Sequence, residues 1–221
     1  MKEWCIPTAD AEFVAKMEDV LEVYQRPYDP LRPVVCIDEM NKQLIGETRI
    51  PCEPGHSEKV DSVYVRNGVA DVFMMAEPLA GRRETVVTQT RTALDFAEIP
   101  RYTSDSLYPQ AEKIVLVTDN LNTHSPASLY KAFPPEEARR IAERFEWHYT
   151  PKHGSWLDMA EIEFGIMSRQ ALGKPLPDLE SFKQQVHSWT INRNSEGVKI
   201  NWQFKTQDAR IKLARLYPTL V

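Results

Sequence analysis

Ile-Val-Leu-Val-Thr-Asp-Asn at residues 114–120 and Val-Val-Cys-Ile-Asp-Glu at residues 34–39 are the stretches that decide the fold. Each is a short, continuous, β-branched apolar run, the pattern of a strand covered on both faces. Each runs directly into an aspartate, Asp38 or Asp119. In open α/β sheets reactive groups collect where core strands end. An ionised carboxylate beside a buried strand is costly unless a partner such as a divalent cation offsets its desolvation. Either aspartate alone reads first as a turn cap; two in the same setting bring a metal-site reading level with that one.

Working outward, residues 8–24 carry Phe13, Met17, Val20, Leu21 and Tyr24 at helical spacing, with Thr8 or Asp10 as cap. Residues 25–33 hold three prolines and read as a connector. Residues 47–62 are rich in Pro, Gly and charge and predict a loop or irregular hairpin. Residues 69–75 and 85–90 are strand candidates joined by a turn at 80–82, and residues 91–107 are helical in composition. After the strand at 113–118, Pro135 opens a short helix, residues 146–150 read as a strand, a helix starts near Ser155, and one or two more fill 179–215. Strands in a meander followed by alternating strands and helices predict an α/β fold with a mixed sheet.

Composition narrows the function classes. The 221 residues are 42% hydrophobic and 27% charged, the balance of a folded domain. No apolar run approaches the roughly 20 residues of a membrane span, and residues 1–7 lack an apolar signal core. Three cysteines without CxxC spacing, Cys5, Cys36 and Cys52, fit unpaired thiols in a reducing compartment; cytoplasm is the expectation. Cys36, inside a core strand, reads as inert. The net charge of −5 is uneven, because residues 165–221 hold nine Lys/Arg against four Asp/Glu. Such a split suits an acidic metal-binding body with a basic flank, and equally an unevenly charged solvated surface.

A two-metal site needs a third acid, since two cations about 4 Å apart take three or more carboxylate ligands. Residues 148–164, His-Tyr-Thr-Pro-Lys-His-Gly-Ser-Trp-Leu-Asp-Met-Ala-Glu-Ile-Glu-Phe, supply candidates. With Ser155 as N-cap, Asp158 takes the acidic place of a capping box. Trp156, Leu157, Met159, Ala160, Phe164 and Met167 form an apolar stripe, so Trp156 is read as core. Glu161 and Glu163 both intrude on the buried side, pointing roughly 200° apart, and geometry alone does not choose between them.

At these residues the chain resembles the DDE transposases of the bacterial insertion-sequence branch related to mariner elements. The matching segments are Cys36-Ile-Asp38-Glu39, Leu116-Val-Thr-Asp119-Asn120-Leu-Asn-Thr-His124, and Tyr149 through Glu161, in that order. The family's final acid closes Leu-Asn-x-x-Glu, which lands on Leu157 to Glu161 and, by resemblance, selects Glu161. Two departures stand out: 41 residues separate Asp119 from Glu161, somewhat more than is usual there, and Asp158 replaces the usual Asn.

The resemblance implies a ribonuclease-H-like fold, a mixed five-stranded sheet flanked by helices. It implies Asp38, Asp119 and Glu161 as catalytic triad and ligands of two Mg²⁺ or Mn²⁺ ions, with Asp38 bridging both. The reaction would be DNA phosphodiester cleavage and strand transfer, the partners transposon-end and target DNA, and the assembly a homodimer. His124 reads either as positioning water or phosphate or as a surface or helix-start histidine. Lys152 and His153 read either as DNA contacts or as a solvated loop. Residues 1–33 are expected as an N-terminal helix and connector, 34–195 as the catalytic domain and 196–221 as a basic helical tail. Relatives carry helix-turn-helix modules, for which the residues before the first strand are too few; a non-catalytic remnant that binds DNA weakly or partners a complete transposase is therefore the alternative. A metal-dependent nuclease without strand transfer is a third reading.

Overall fold

The computed structural model describes residues 10–50 and 59–219. Helix α1 (Ala11–Val23) is capped by Asp10, whose side chain accepts from the Glu12 amide, so the second of the two predicted caps is used. Strands β1 (Val34–Ile50), β2 (Lys59–Glu77) and β3 (Arg82–Thr88) form an antiparallel meander. Helix α2 (Ala93–Tyr102) follows and widens into a π turn at Thr103–Leu107. Then come β4 (Ile114–Thr118), α3 (Pro126–Ala132), α4 (Pro135–Glu143) and β5 (Phe145–Tyr149). The chain closes with α5 (Met159–Gln170), α6 (Leu179–Ser195) and α7 (Thr206–Lys212). The sheet order is β3-β2-β1-β4-β5, with β4 and β5 parallel to β1.

The sheet is covered on both faces, as its apolar strands require. Val35, Ile37, Ile114 and Leu116 pack with Phe96, Ile99, Leu129 and Ile141 of α2, α3 and α4. On the other face Cys36, Val115 and Val117 meet α1 and the start of α5, and Val72, Met74 and Ala76 meet α5 and α6. Side chains alternate along β1, so Asp38 falls on the α5 face and Glu39 on the α2 face.

Several expectations shift. Of the loop or irregular hairpin expected at 47–62, the described residues form the arms of an irregular hairpin: β1 and β2 pair antiparallel out to Ile50 opposite Lys59, with two register shifts. β3 reaches back only to Asp71 on β2 and β4 only to Ile37 on β1, so the outer part is a two-stranded ribbon, whose base still buries Leu44 and Ala70 against α5 and α6. Residues 51–58, with Cys52, lie outside the described residues, as does Cys5. Helix α3 was not foreseen, although Pro126 at its first turn is a helix-start signal. Residues 196–205 carry no helix: an extended strap through Ile200, Trp202 and Phe204 packs against α1 before α7 begins. No helix among the described residues is long and apolar enough to cross a membrane.

Candidate active site

The parallel neighbours β1 and β4 end side by side, and Asp38 and Asp119 follow from those ends. Asp38 is 6% exposed, and its Oδ1 accepts the Glu39 amide at 2.8 Å. Asp119 follows Thr118, which faces α2, so alternation turns Asp119 toward the Asp38 side. Helix α5 carries the third acid, Glu161, on its first turn, where the Asp119 charge acts on it.

The beginning of α5 is built differently from the capping box expected at Ser155. Ser155–Leu157 is a single 3-10 turn, and Asp158 is itself the N-cap, accepting the Ala160 amide at 2.8 Å. The preceding turn is forced. Gly154 donates to the Pro151 carbonyl, a Cβ there would sit 2.6 Å from the proline ring, and His153 adopts a left-handed φ of 65°. Because the helix starts at Met159, the stripe drawn through Trp156 does not hold: Trp156 is 43% exposed. Lys152 and His153 are exposed on this turn.

Geometry now separates the two glutamates. Glu163 is wholly buried against two guanidinium groups, Arg83 at 2.6 Å and Arg193 at 3.1 Å, on the far side of α5. Glu161 is exposed and has no such cation among the described residues; the Asp119 charge acts on it instead.

Burial first, then the Asp119 charge, pushes the Asp38 carboxyl up to about 8, with Glu161 and Glu39 adding to the rise. Glu161 is raised by burial and by Asp119. Asp158, wholly buried, is raised well above the carboxylate range by burial and the Asp38 charge. Asp119 goes the other way: burial works to raise it, but the His124 hydrogen bond and charge hold it below its ordinary value. His124 stands directly before the N-cap of α3, as the helix-start reading has it, but it is not a surface residue: the ring is 1% exposed and lies between carboxylates. Its Nδ1 bonds Asp119 Oδ1, and its Nε2 lies 2.7 Å from Glu39 Oε2. Burial lowers the imidazole, yet the two carboxylates outweigh it and raise it to about 9. Phe96 of α2 stacks beneath the ring at 4.4 Å. Arg91 stands 3.7 Å from both Glu39 and Asp71.

Asp38, Glu39, Asp71, Asp119, Asp158 and Glu161 are thus opposed by His124 and Arg91. Glu39 Oε2, Asp71 Oδ1 and Asp158 Oδ2 are buried without an aligned hydrogen-bond donor. Unsatisfied carboxylate oxygens and a raised Asp38 mark an excess of negative charge that a hard divalent cation fits. Asp38, Glu39 and His124 could also offer atoms within 4.8 Å of one another to an ion. A nitrogen donor already held by two carboxylates suits Mg²⁺ poorly, so the all-oxygen set fits better.

Asp158→Asn should stabilise the metal-free protein by about 1–2 kcal/mol at pH 8, since an amide keeps the cap and removes an unsatisfied buried carboxylate. A folded-state pKa above the unfolded one contributes stability below the unfolded pKa, about 4, and loses it as pH rises toward the folded value. The gain should therefore shrink on acidification, as paired thermal melts at pH 8 and pH 5 in chelator would show.

A DDE superfamily endonuclease family model matches residues 33–183. No curated protein matches the chain. Among solved structures, the chain is similar to the Mos1 transposase paired-end complex with left transposon end, at 15% identity and TM-score 0.55, covering 90% of this chain and 61% of that one. It is similar to the mariner Mos1 paired end complex with Mg at 13% identity and TM-score 0.59, covering 99% of this chain and 67% of that one. The chain thus spans about three fifths of the length of the first of these relatives, at 61%. At such identities the likeness establishes the fold, which is ribonuclease-H-like as expected.

Proposed function

Because the chain belongs to the DDE superfamily endonucleases, we propose that it is the catalytic domain of a transposase, cleaving DNA phosphodiester bonds with divalent metal and transferring the freed end to a target strand. What supports this reading is that Asp38 and Asp119 follow the ends of neighbouring parallel core strands, and that the charges of Asp119 and Glu161 both act on the buried Asp38 carboxyl. These three would hold two Mg²⁺ or Mn²⁺ ions. Bound there, the ions would lower the pKa of an attacking water or 3′-hydroxyl and offset charge on the leaving oxygen.

The chain's own groups would set that site up. His124 holds one oxygen of Asp119 and leaves the other free to serve as ligand. The Glu39 amide orients Asp38, and the Asp158 cap fixes the first turn of α5 and so the aim of Glu161. Lys152 and His153 would contact phosphates, placing the strand without reading its bases. A homodimer, the bacterial insertion-sequence branch suggested by residues 149–161, and a cytoplasmic site of action complete the proposal.

Nicking of supercoiled plasmid in Mg²⁺, with chelator as control, tests it. The wild type should nick and should join a labelled DNA end to the plasmid, while Asp38→Ala and Asp119→Asn fall by roughly 10³-fold or more. Equal residual activity in all three removes the enzyme; nicking without joining leaves a nuclease alone.

A further inference from the structure

Three charged side chains are buried together between α5, β3 and α6: Glu163, Arg83 and Arg193. Arg83 Nη2 donates to Glu163 Oε1 at 2.6 Å, and Arg193 donates from Nε to Oε2 at 3.1 Å and from Nη2 to Oε1 at 3.2 Å, so both carboxylate oxygens are held. The frame around them is fixed as well. The Asn194 side chain accepts the Arg83 amide at 2.8 Å and donates to the Arg83 carbonyl at 2.7 Å, which ties β3 to α6 at the residue that reaches Glu163. In the general behaviour of buried ion pairs, apolar residues of similar volume stabilise as much or more. What the buried charges supply, and apolar contacts do not, is direction.

Direction matters in α5 because of what its first turn carries. Met159 and Ala160 pack with Cys36 and Val117, paired neighbours in the sheet that stand two residues before Asp38 and Asp119, so the turn bearing Glu161 lies against the ends of those strands. A rotation of α5 by about 20° would move a carboxyl about 6 Å from the axis by roughly 2 Å. A metal ligand tolerates only about 0.2 Å. The Asp158 cap bond stays within the helix, and Phe164 and Met167 meet Val72, Met74 and Phe182 through apolar contacts that hold α5 in place more firmly than they fix its rotation. The Trp189 indole donates to Gln170 at 2.8 Å, at the other end of the helix. We infer that Arg83, Arg193 and Glu163 set the rotation of α5 about its own axis and thereby aim Glu161 at the metal site. They are positioning residues. The inference rests on the metal-dependent reading above and deepens it by naming what holds the third ligand.

The test is Mn²⁺ binding without DNA, read from the electron paramagnetic resonance of free Mn²⁺. It compares wild type, Glu161→Gln, a triple variant (Arg83→Met, Glu163→Leu, Arg193→Met) and the triple variant carrying Glu161→Gln as well. The triple variant should keep a cooperative melt and bind Mn²⁺ about 10–100-fold more weakly, the range typical of groups that orient a metal ligand. In that background Glu161→Gln should cost less affinity than it costs wild type, because the carboxyl is already turned away. Loss of folded protein alone does not produce such coupling. A triple variant that binds Mn²⁺ as wild type does, or in which Glu161→Gln costs as much as in wild type, overturns the inference. Should the triple variant not fold, Arg193→Met leaves the Arg83–Glu163 pair balanced and removes the direct tie from Glu163 to α6. It should also weaken Mn²⁺ binding, and wild-type affinity there overturns the inference equally. If wild type binds Mn²⁺ and the triple variant matches it, only the positioning role falls. If folded wild type binds no Mn²⁺, the metal-dependent reading falls and the positioning role with it.

Discussion

Glu163→Ala is expected to destabilise the protein by about 3–5 kcal/mol, whereas Glu161→Gln, two residues earlier, should leave folding intact and remove cleavage. The two glutamates look alike in sequence and differ in partners. Glu163 neutralises Arg83, whose side chain is 1% exposed, and Arg193. Arg83 Nε and Nη1 are buried with no partner of their own, so its charge rests on Glu163 alone. Removing the carboxylate leaves a buried guanidinium uncompensated, the costly half of a broken ion pair. The loss should appear as a melting temperature lower by about 10 °C. Replacing Arg83, Arg193 and Glu163 together by apolar residues should recover most of it, because the triad's stabilisation largely repays its own desolvation and no guanidinium is then left uncompensated. A Glu163→Ala protein as stable as wild type would show that the ion pairs do not hold α5.

His124→Ala is the second substitution with a large expected effect. The ring ties Asp119 to Glu39, and its removal leaves Glu39, already short of donors, facing Asp119 with no cation between. Groups that orient a metal ligand typically contribute 10–100-fold in metal affinity or activity, so cleavage should fall by about that factor. The Mg²⁺ concentration for half-maximal nicking should rise, a shift that simple loss of folded protein does not produce. Unchanged metal dependence would assign His124 to packing against Phe96.

Much of this arrangement is legible in the sequence. Asp38 and Asp119 announce themselves because unbroken apolar runs end on them, and the strands and flanking helices follow from those runs. Glu161 and Glu163 were both visible on the stripe of α5, but the choice between them depends on Arg83 and Arg193, 80 and 30 residues away, which no local period reveals. His124 showed as a residue close to Asp119, and its burial depends on Glu39 from β1 and Phe96 from α2 meeting it in space. Trp156 was misplaced because helical periodicity was carried back from α5 into a turn with a different rise. The β1–β2 ribbon was left open between loop and irregular hairpin because its register shifts break the period of two on which a strand reading depends.

Anomalous diffraction from crystals soaked in Mn²⁺ tests the central claim most directly. The account predicts metal density bounded by the carboxyl groups of Asp38, Asp119 and Glu161, with the His124 ring still between Asp119 and Glu39. Density centred on Asp38, Glu39 and the His124 ring, or none within reach of Glu161, would contradict it.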